Sequence, residues 1–258
     1  MLDGLVAGAL DDASRRREVR SLAQVEADAL TVAPAFDALT ALQRGDHVKV
    51  IAEVKRASPS RGALASIPDA ALLARQYALG GASAISVLTE ERRFGGSLAD
   101  LYAVRAAVAI PVLRKDFIAD PYQVFEARAA GADLVLLIVA ALDDPTLHAL
   151  HALIIDLGMT PLVETHDADE VRRAVDLGAS VIGVNARDLS TFKLDRDLFG
   201  RLAPMIPDST VRIAESAVSV VADVEHYRRE GADVVLIGEA LVIGGDPVAA
   251  LHEFLAVS

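Results

Sequence analysis

The chain has 258 residues, 53% of them apolar, enough for one large core or two ordinary ones; its net charge of −12, with no basic cluster beyond Arg15-Arg16-Arg17, argues against a nucleic-acid surface. The absence of cysteine removes disulfides, thiolate metal sites and cysteine nucleophiles together. Taken in order, the first residues, Met1-Leu2-Asp3-Gly4-Leu5, carry acid where a secretory signal carries base, so an exported chain is not expected. Leu2, Leu5, Val6 and Ala9 recur at helical spacing, and Ser21-Leu22-Ala23-Gln24 matches a capping box before a second helical segment. Residues 1–46 are therefore expected to form a helical N-terminal extension.

From Lys49 onward one unit repeats: a short β-branched run, a loop, an amphipathic helix, a glycine-containing junction, and the next run. Eight strands are expected, at Val48–Lys55, Ala84–Leu88, Pro111–Lys115, Leu134–Val139, Thr160–Glu164, Val181–Asn185, Val211–Glu215 and Val234–Ile237. The junctions Gly80-Gly81-Ala82, Gly131-Ala132-Asp133, Leu177-Gly178-Ala179 and Gly231-Ala232-Asp233 stand where glycine ends a helix. Strands separated by helix-length segments imply parallel pairing with right-handed crossovers, and eight such units close into a (β/α)8 barrel. No glycine fingerprint of an open dinucleotide-binding sheet follows the first strand, and no linker divides the chain, so residues 1–258 are read as a single α/β barrel domain. The most apolar run, from Leu134 to Leu142, has about half the length a membrane span needs and reads as a buried strand.

In such barrels the active site forms at the carboxyl ends of the strands. Strand one ends in Glu53 and Lys55, strand three in Lys115, strand five in Glu164, strand six in Asn185 with Arg187 beyond, and strand seven in Glu215-Ser216. Alternation along a strand puts Ile51, Glu53 and Lys55 on one side, and likewise Leu113, Lys115 and Phe117, so five strands deliver ionisable or amide groups to one rim. One such residue is usually a solvated loop residue, but two lysines and three carboxylates converging on a partly apolar mouth suit general acid and base work. Strand four ends apolar, with Leu136 and Ile138. Gly238-Glu239, where strand eight turns into a helix, together with Ser216-Ala217 after strand seven, reads as a backbone cradle for phosphate. The six histidines show no ligand spacing and read as surface residues, and no metal site or cofactor is expected. No nucleophilic-serine, Walker or zinc pattern is present.

Laid out this way, the chain closely resembles the indole-3-glycerol phosphate synthase family over nearly its whole length. The resemblance is carried by Ile51-Ala52-Glu53-Val54-Lys55-Arg56-Ala57-Ser58-Pro59-Ser60, Pro111-Val112-Leu113-Arg114-Lys115-Asp116-Phe117, Val163-Glu164, Ile182-Gly183-Val184-Asn185-Ala186-Arg187-Asp188-Leu189 and Ile213-Ala214-Glu215-Ser216. It implies ring closure of 1-(2-carboxyphenylamino)-1-deoxyribulose 5-phosphate, with loss of carbon dioxide and water, in tryptophan biosynthesis. It also implies Lys115 as the acid at the sugar ketone and Glu164 as the second catalytic group, with Glu53 nearby and Asn185 holding ring and sugar. By the same resemblance, Lys55 meets the substrate's anionic groups and Ser58 and Arg187 hold the anthranilate carboxylate. Phe94, Phe117, Leu113, Leu136 and Ile138 then wall the aromatic ring, and Ser216, Ala217, Gly238 and Glu239 hold the phosphate. The family usually has glycine where this chain has Ala217; if that position needs a positive φ, alanine costs roughly 1 kcal/mol or more and substrate should bind more weakly than to an Ala217→Gly variant.

Two other readings stand beside this one. A phosphoribosylanthranilate isomerase-type barrel would want a cysteine acid, which the chain lacks, and a non-catalytic phosphometabolite binder would have little use for Lys115 and Glu164 together. The expected partner is a phosphorylated small molecule, with neither nucleic acid nor membrane, for a cytoplasmic chain that is monomeric or weakly self-associating; docking to other tryptophan-pathway enzymes is left open.

Overall fold

The β-branched runs become strands because Val and Ile pack well on a pleated surface, and their alternation decides which side chains meet. The computed structural model describes residues 2–58, 62–63, 67–188, 193–216, 218–243 and 245–258, with the side chains of Ser58 and Ala63 outside that description. The strands are β1 (Lys49–Val54), β2 (Ala84–Leu88), β3 (Val112–Lys115), β4 (Leu134–Ile138), β5 (Thr160–Thr165), β6 (Val181–Asn185), β7 (Val211–Glu215) and β8 (Val234–Ile237). Each pairs in parallel with the next, and β8 returns to β1 with Val50 opposite Val235 and Ile51 opposite Leu236, closing an eight-stranded barrel. Two-residue pairs at Ala57–Ser58 and Gly62–Ala63 form a small antiparallel ribbon above β1.

Closure sorts the apolar residues into two layers. Ile51, Leu113, Leu134, Leu162, Ile213 and Val234 fill the barrel's interior, while Val50, Ile85, Val135, Val163, Ile182 and Val235 point outward against the helices. The helices between strands are α4 (Ala70–Leu79), α5 (Leu98–Ala107), α6 (Pro121–Ala129), α7 (Asp144–Asp156), α8 (Ala168–Asp176), α9 (Leu198–Leu202) and α10 (Val221–Arg229), with α11 (Glu239–Ile243) and α12 (Pro247–Leu255) following β8. Several return to the sheet as expected, through a glycine in the left-handed region. At Gly131 (φ 81°) the glycine N–H donates to Arg128 O at 2.9 Å and Ala132 N–H to Ala127 O at 2.9 Å, which satisfies the last carbonyls of α6.

The extension is helical as read: α1 (Leu2–Val19), α2 (Leu22–Thr31), capped by Ser21 and Gln24, and α3 (Ala38–Leu42). It grips the barrel at both ends. α1 packs on α6 and on the turn at Val139–Ala141 just beyond β4, and its buried Leu5 and Ala9 join the apolar cluster of Phe117, Leu136 and Ile138. Arg16 of α1 donates to both carboxylate oxygens of Glu126 on α6, at 2.6 and 2.9 Å, and Arg92 pairs with Asp12 at 2.8 Å. Before α3, Phe36 N–H donates to Asp133 at the start of β4, so this stretch passes the opposite end, where Ala38 and Leu42 are buried against the inner layer. Among the described residues no helix is long and apolar enough to cross a membrane.

Candidate active site

The strand ends carry their charges to one cavity of about 340 Å³. Its wall includes Glu53 and Lys55 from β1, Lys115 from β3, Glu164 from β5, Asn185 from β6, Ser216 after β7 and Gly238 after β8, so residues up to 185 positions apart meet there. Register explains the meeting: Lys115 stands beside Leu88, Glu164 beside Ile138 and Gly183, and Asn185 beside Glu215, each at the last turnings of its strand.

Lys115 is the centre of the group. Its ammonium donates to Glu215 Oε2 at 3.4 Å and Glu164 Oε2 at 3.5 Å, and lies 3.9 Å from Glu53 Oε2. Lys55 Nζ pairs with Glu53 Oε1 at 2.6 Å. Glu53, Glu164 and Glu215 are buried, and ionised groups are tolerated there only when opposite charges compensate lost hydration. Burial alone would lower Lys115, but the surrounding Glu164, Glu215 and Glu53 carboxylates outweigh it and raise its proton affinity above the ordinary lysine value. Burial would likewise raise Glu164, yet Lys115, His166 and the Asn185 amide hold it well below the usual carboxylate range. Burial is also opposed at Glu53, by Lys55 and Lys115, and the net shift is downward. Glu215 goes the other way: burial first, then the Glu164 charge, pushes it up to about 8 against the pull of Lys115. Around one ammonium, then, two carboxylates stay ionised and a third keeps its proton through neutral pH.

Two glycines make room for these carboxylates. A methyl on Gly183 would overlap Glu215 Oε1, and one on Gly238 would lie 2.8 Å from Glu53 Oε1. Neither role is visible in the sequence, where each glycine could serve a turn.

The apolar side of the cavity is Leu88, Phe94, Phe117, Leu136, Ile138 and Leu236. Phe94 and Phe117 stand 6.2 Å apart, tilted by 41°. The loop that presents Phe94 is organised by Glu90, a buried residue not picked out from the sequence, whose carboxylate accepts the N–H groups of Arg92, Arg93 and Phe94 at 3.1, 2.7 and 2.9 Å. Arg187, Arg196, Ser216, Ser219 and Glu239 line the mouth. Ser216 has φ 76°, a left-handed conformation that costs a non-glycine residue roughly 1 kcal/mol or more and is found chiefly where a site requires it.

Most of the expected site residues are thus gathered: Glu53, Lys55, Lys115, Glu164, Asn185, Arg187, Phe94, Phe117, Leu136, Ile138, Ser216, Gly238 and Glu239 all line the cavity. Glu215 lies just beneath, touching Lys115 rather than the open space. Leu113 does not belong to the wall: it faces inward as alternation requires but sits one step below Lys115, fully buried among Leu134, Leu162 and Ile213. Ala217 and the side chain of Ser58 lie outside the described residues. His166, expected at the surface, is a second correction. It follows Glu164 on the same face by alternation and places Nε2 3.3 Å from Glu164 Oε1 and Nδ1 3.0 Å from Glu170 Oε2, because β5 runs one residue further than read and carries it to the mouth. His151 is likewise buried, on α7. Among the described residues no group of three or more His, Cys, Asp or Glu side chains is arranged to hold a metal ion.

Comparison with known proteins agrees over the whole chain. The family model described as indole-3-glycerol phosphate synthase matches residues 2–254. The chain is 69% identical over 257 residues to "Indole-3-glycerol phosphate synthase" of Leifsonia xyli, covering 100% of this chain and 98% of that one. It is 58% identical over 257 residues to the protein of the same name from Nocardioides sp., again covering 100% and 98%. Among solved structures, a 3-hexulose-6-phosphate synthase superposes with a TM-score of 0.64 at 21% identity, covering 82% of this chain and 100% of that one, a likeness of fold.

Proposed function

The chain belongs to the indole-3-glycerol phosphate synthase family, and from that premise we propose how its residues divide the work of closing the indole ring. The family's reaction turns 1-(2-carboxyphenylamino)-1-deoxyribulose 5-phosphate into indole-3-glycerol phosphate, carbon dioxide and water. The carboxylate-bearing ring carbon attacks the sugar ketone, forming the carbon–carbon bond and leaving negative charge on oxygen. Loss of carbon dioxide restores the benzene ring. Departure of the new hydroxyl as water, with a proton from the neighbouring methylene, completes the indole. Two protons go to oxygen, one comes from carbon, and the difference is drawn from solvent.

Lys115 is the acid at the ketone oxygen. An ammonium aimed at developing negative charge in a site shielded from water stabilises the transition state more than the ketone, which is the condition for a faster chemical step. Having given its proton, neutral Lys115 is recharged by Glu215, the carboxyl beneath it that holds a proton at neutral pH. Lys115 then serves again as acid when the hydroxyl leaves. Glu164, kept ionised, takes the methylene proton. Glu53 holds Lys55 toward Gly238 and Ser216, where the phosphate lies against backbone N–H groups, and Arg187 takes the anthranilate carboxylate. Phe94, Phe117, Leu136 and Ile138 enclose the aromatic ring and keep water from the reacting carbon. We also assign the chain to the cytoplasm, which its lack of cysteine and its small-molecule chemistry support, acting alone or as a weak oligomer.

The observation that carries this reading is a single ammonium within 3.9 Å of three buried carboxylates at the rim of an apolar cavity. Lys115→Ala should abolish indole fluorescence from the carboxyphenylamino substrate while a reduced, non-reacting substrate analogue still binds. Turnover near that of the unaltered protein would exclude Lys115 as the acid.

A further inference from the structure

Past Glu164 the chain takes one more extended residue, Thr165, and turns into α8. Asp167 caps that helix by accepting the N–H groups of Asp169 and Glu170 at 2.9 Å each. Glu170, in the first helical turn, reaches back: its Oε2 accepts the backbone N–H of His166 at 2.7 Å and lies 3.0 Å from His166 Nδ1. One ring nitrogen is thereby fixed, and the other, Nε2, faces Glu164 Oε1 at 3.3 Å. The remaining oxygen of Glu164, Oε2, faces Lys115 at 3.5 Å. The His166 side chain is only 12% exposed, so neither contact is diluted by free solvent.

We propose that His166 is a positioning residue: as an imidazolium anchored by Glu170, it clamps Glu164 Oε1 so that Oε2 alone is presented to Lys115 and the substrate, in the ionised form a base requires. The assignment rests on Glu164 being the base that takes the methylene proton. Its charge logic is local. Burial by itself would lower the proton affinity of His166, but its contacts with Glu164 and Glu170 outweigh that and push it up to about 10, so the ring carries charge throughout the neutral range. Glu53, Glu215 and Lys115 face Glu164 from across the mouth; the ionised Glu53 makes its ionisation harder, while Lys115 and the proton-holding Glu215 ease it. A cation at ion-pair distance favours an ionised carboxylate by about one to three pH units. Because Glu170 neutralises the imidazolium from behind, the clamp adds no net charge to the pocket.

The test uses full-length His166→Gln and Glu170→Gln proteins, with steady-state kinetics across the acid and neutral range. His166→Gln should lower kcat about tenfold to a hundredfold with KM within about twofold, as expected when a catalytic group is present but misplaced. The acid limb of its kcat profile should move up by about one pH unit or more, since Glu164 loses its cation and must be deprotonated at higher pH. Glu170→Gln keeps an oxygen for the His166 backbone N–H and should shift the limb less, in the same direction. An unshifted limb in His166→Gln, or a raised KM with kcat retained, would overturn the clamp. The unaltered protein gives a readout independent of variant folding: nitrogen NMR of labelled histidine should show both ring nitrogens of His166 protonated at neutral pH, and a neutral tautomer would also overturn it. Glu164→Gln separates the two ideas. If that variant turns over normally, the base assignment fails; if it is inactive while His166→Gln keeps the original pH profile, only the clamp fails.

Discussion

With Glu215 protonated, the charges buried at the mouth cancel: Glu53 against Lys55, Glu164 against Lys115, and Glu170 against His166. Ionising Glu215 would add an uncompensated carboxylate between Glu164 and Glu53, the cost that burial and the Glu164 charge register as a proton affinity near 8. The unfolded chain feels neither. A carboxyl that holds its proton more tightly when folded contributes stability that is fully present below its unfolded pKa and is lost as pH rises through the folded one, here between about 4.5 and about 8. Glutamine mimics the protonated carboxyl and cannot ionise. The Tm of Glu215→Gln relative to the unaltered protein should therefore rise from pH 5 to pH 8, by about 2 °C or more for a chain of this size. A gap that stays constant over that range would show that Glu215 titrates as an ordinary carboxyl.

At the scale of one strand, β3 shows what a sequence can and cannot disclose. Alternation assigns Leu113, Lys115 and Phe117 to the barrel interior, and all three are there. What alternation cannot assign is height. Whether an inward residue lies in the packed middle of a barrel or at its open rim depends on the stagger of each strand against its neighbours, which is set only when the sheet closes. Leu113 pairs with Leu134 one layer down, whereas Leu136, equally inward and equally apolar, pairs with Leu162 beside Glu164 and reaches the cavity. Leu113→Ala should accordingly cost about 2 to 5 kcal/mol of stability and leave KM unchanged; a denaturant titration beside steady-state kinetics decides it, and a raised KM at unaltered stability would return Leu113 to the pocket wall. The eight strands themselves were legible because each is a short β-branched run bounded by turn residues, as were the charges that end them. The same rule extended by two positions beyond Glu164 points to His166, but reading the strand as ending at the carboxylate hid it. The room that Gly183 and Gly238 make for carboxylates gave no signal, since a missing methyl carries meaning only beside the oxygen it admits.

For the whole molecule, the extension does more than decorate the barrel. α1 covers the apolar side of the mouth while α3 closes the opposite end, so one segment bears on both substrate access and core integrity. These two contributions should separate on truncation. A chain lacking residues 2–20 exposes Phe117, Leu136 and Ile138 but keeps its floor, and is expected to unfold cooperatively while binding substrate about tenfold or more weakly, the equivalent of roughly 1.4 kcal/mol. A chain lacking residues 2–46 also loses Ala38 and Leu42 from the inner layer and should show no cooperative thermal transition. Equal melting behaviour of the two truncations would mean that α3 is not part of the core.

The grip of α1 also has a consequence in time. Arg16 finds its carboxylate on Glu126, 110 residues later in the chain. During synthesis the first helix therefore leaves the ribosome well before the strands its apolar stripe packs on, and at about 5 to 20 residues per second it waits roughly 5 to 20 seconds with Leu5 and Ala9 uncovered before β3, α6 and β4 have emerged. Because the inner layer that α1 covers includes Leu162, Ile213 and Leu236, that stripe stays bare in any nascent chain arrested before β8 and is covered only once the barrel has closed.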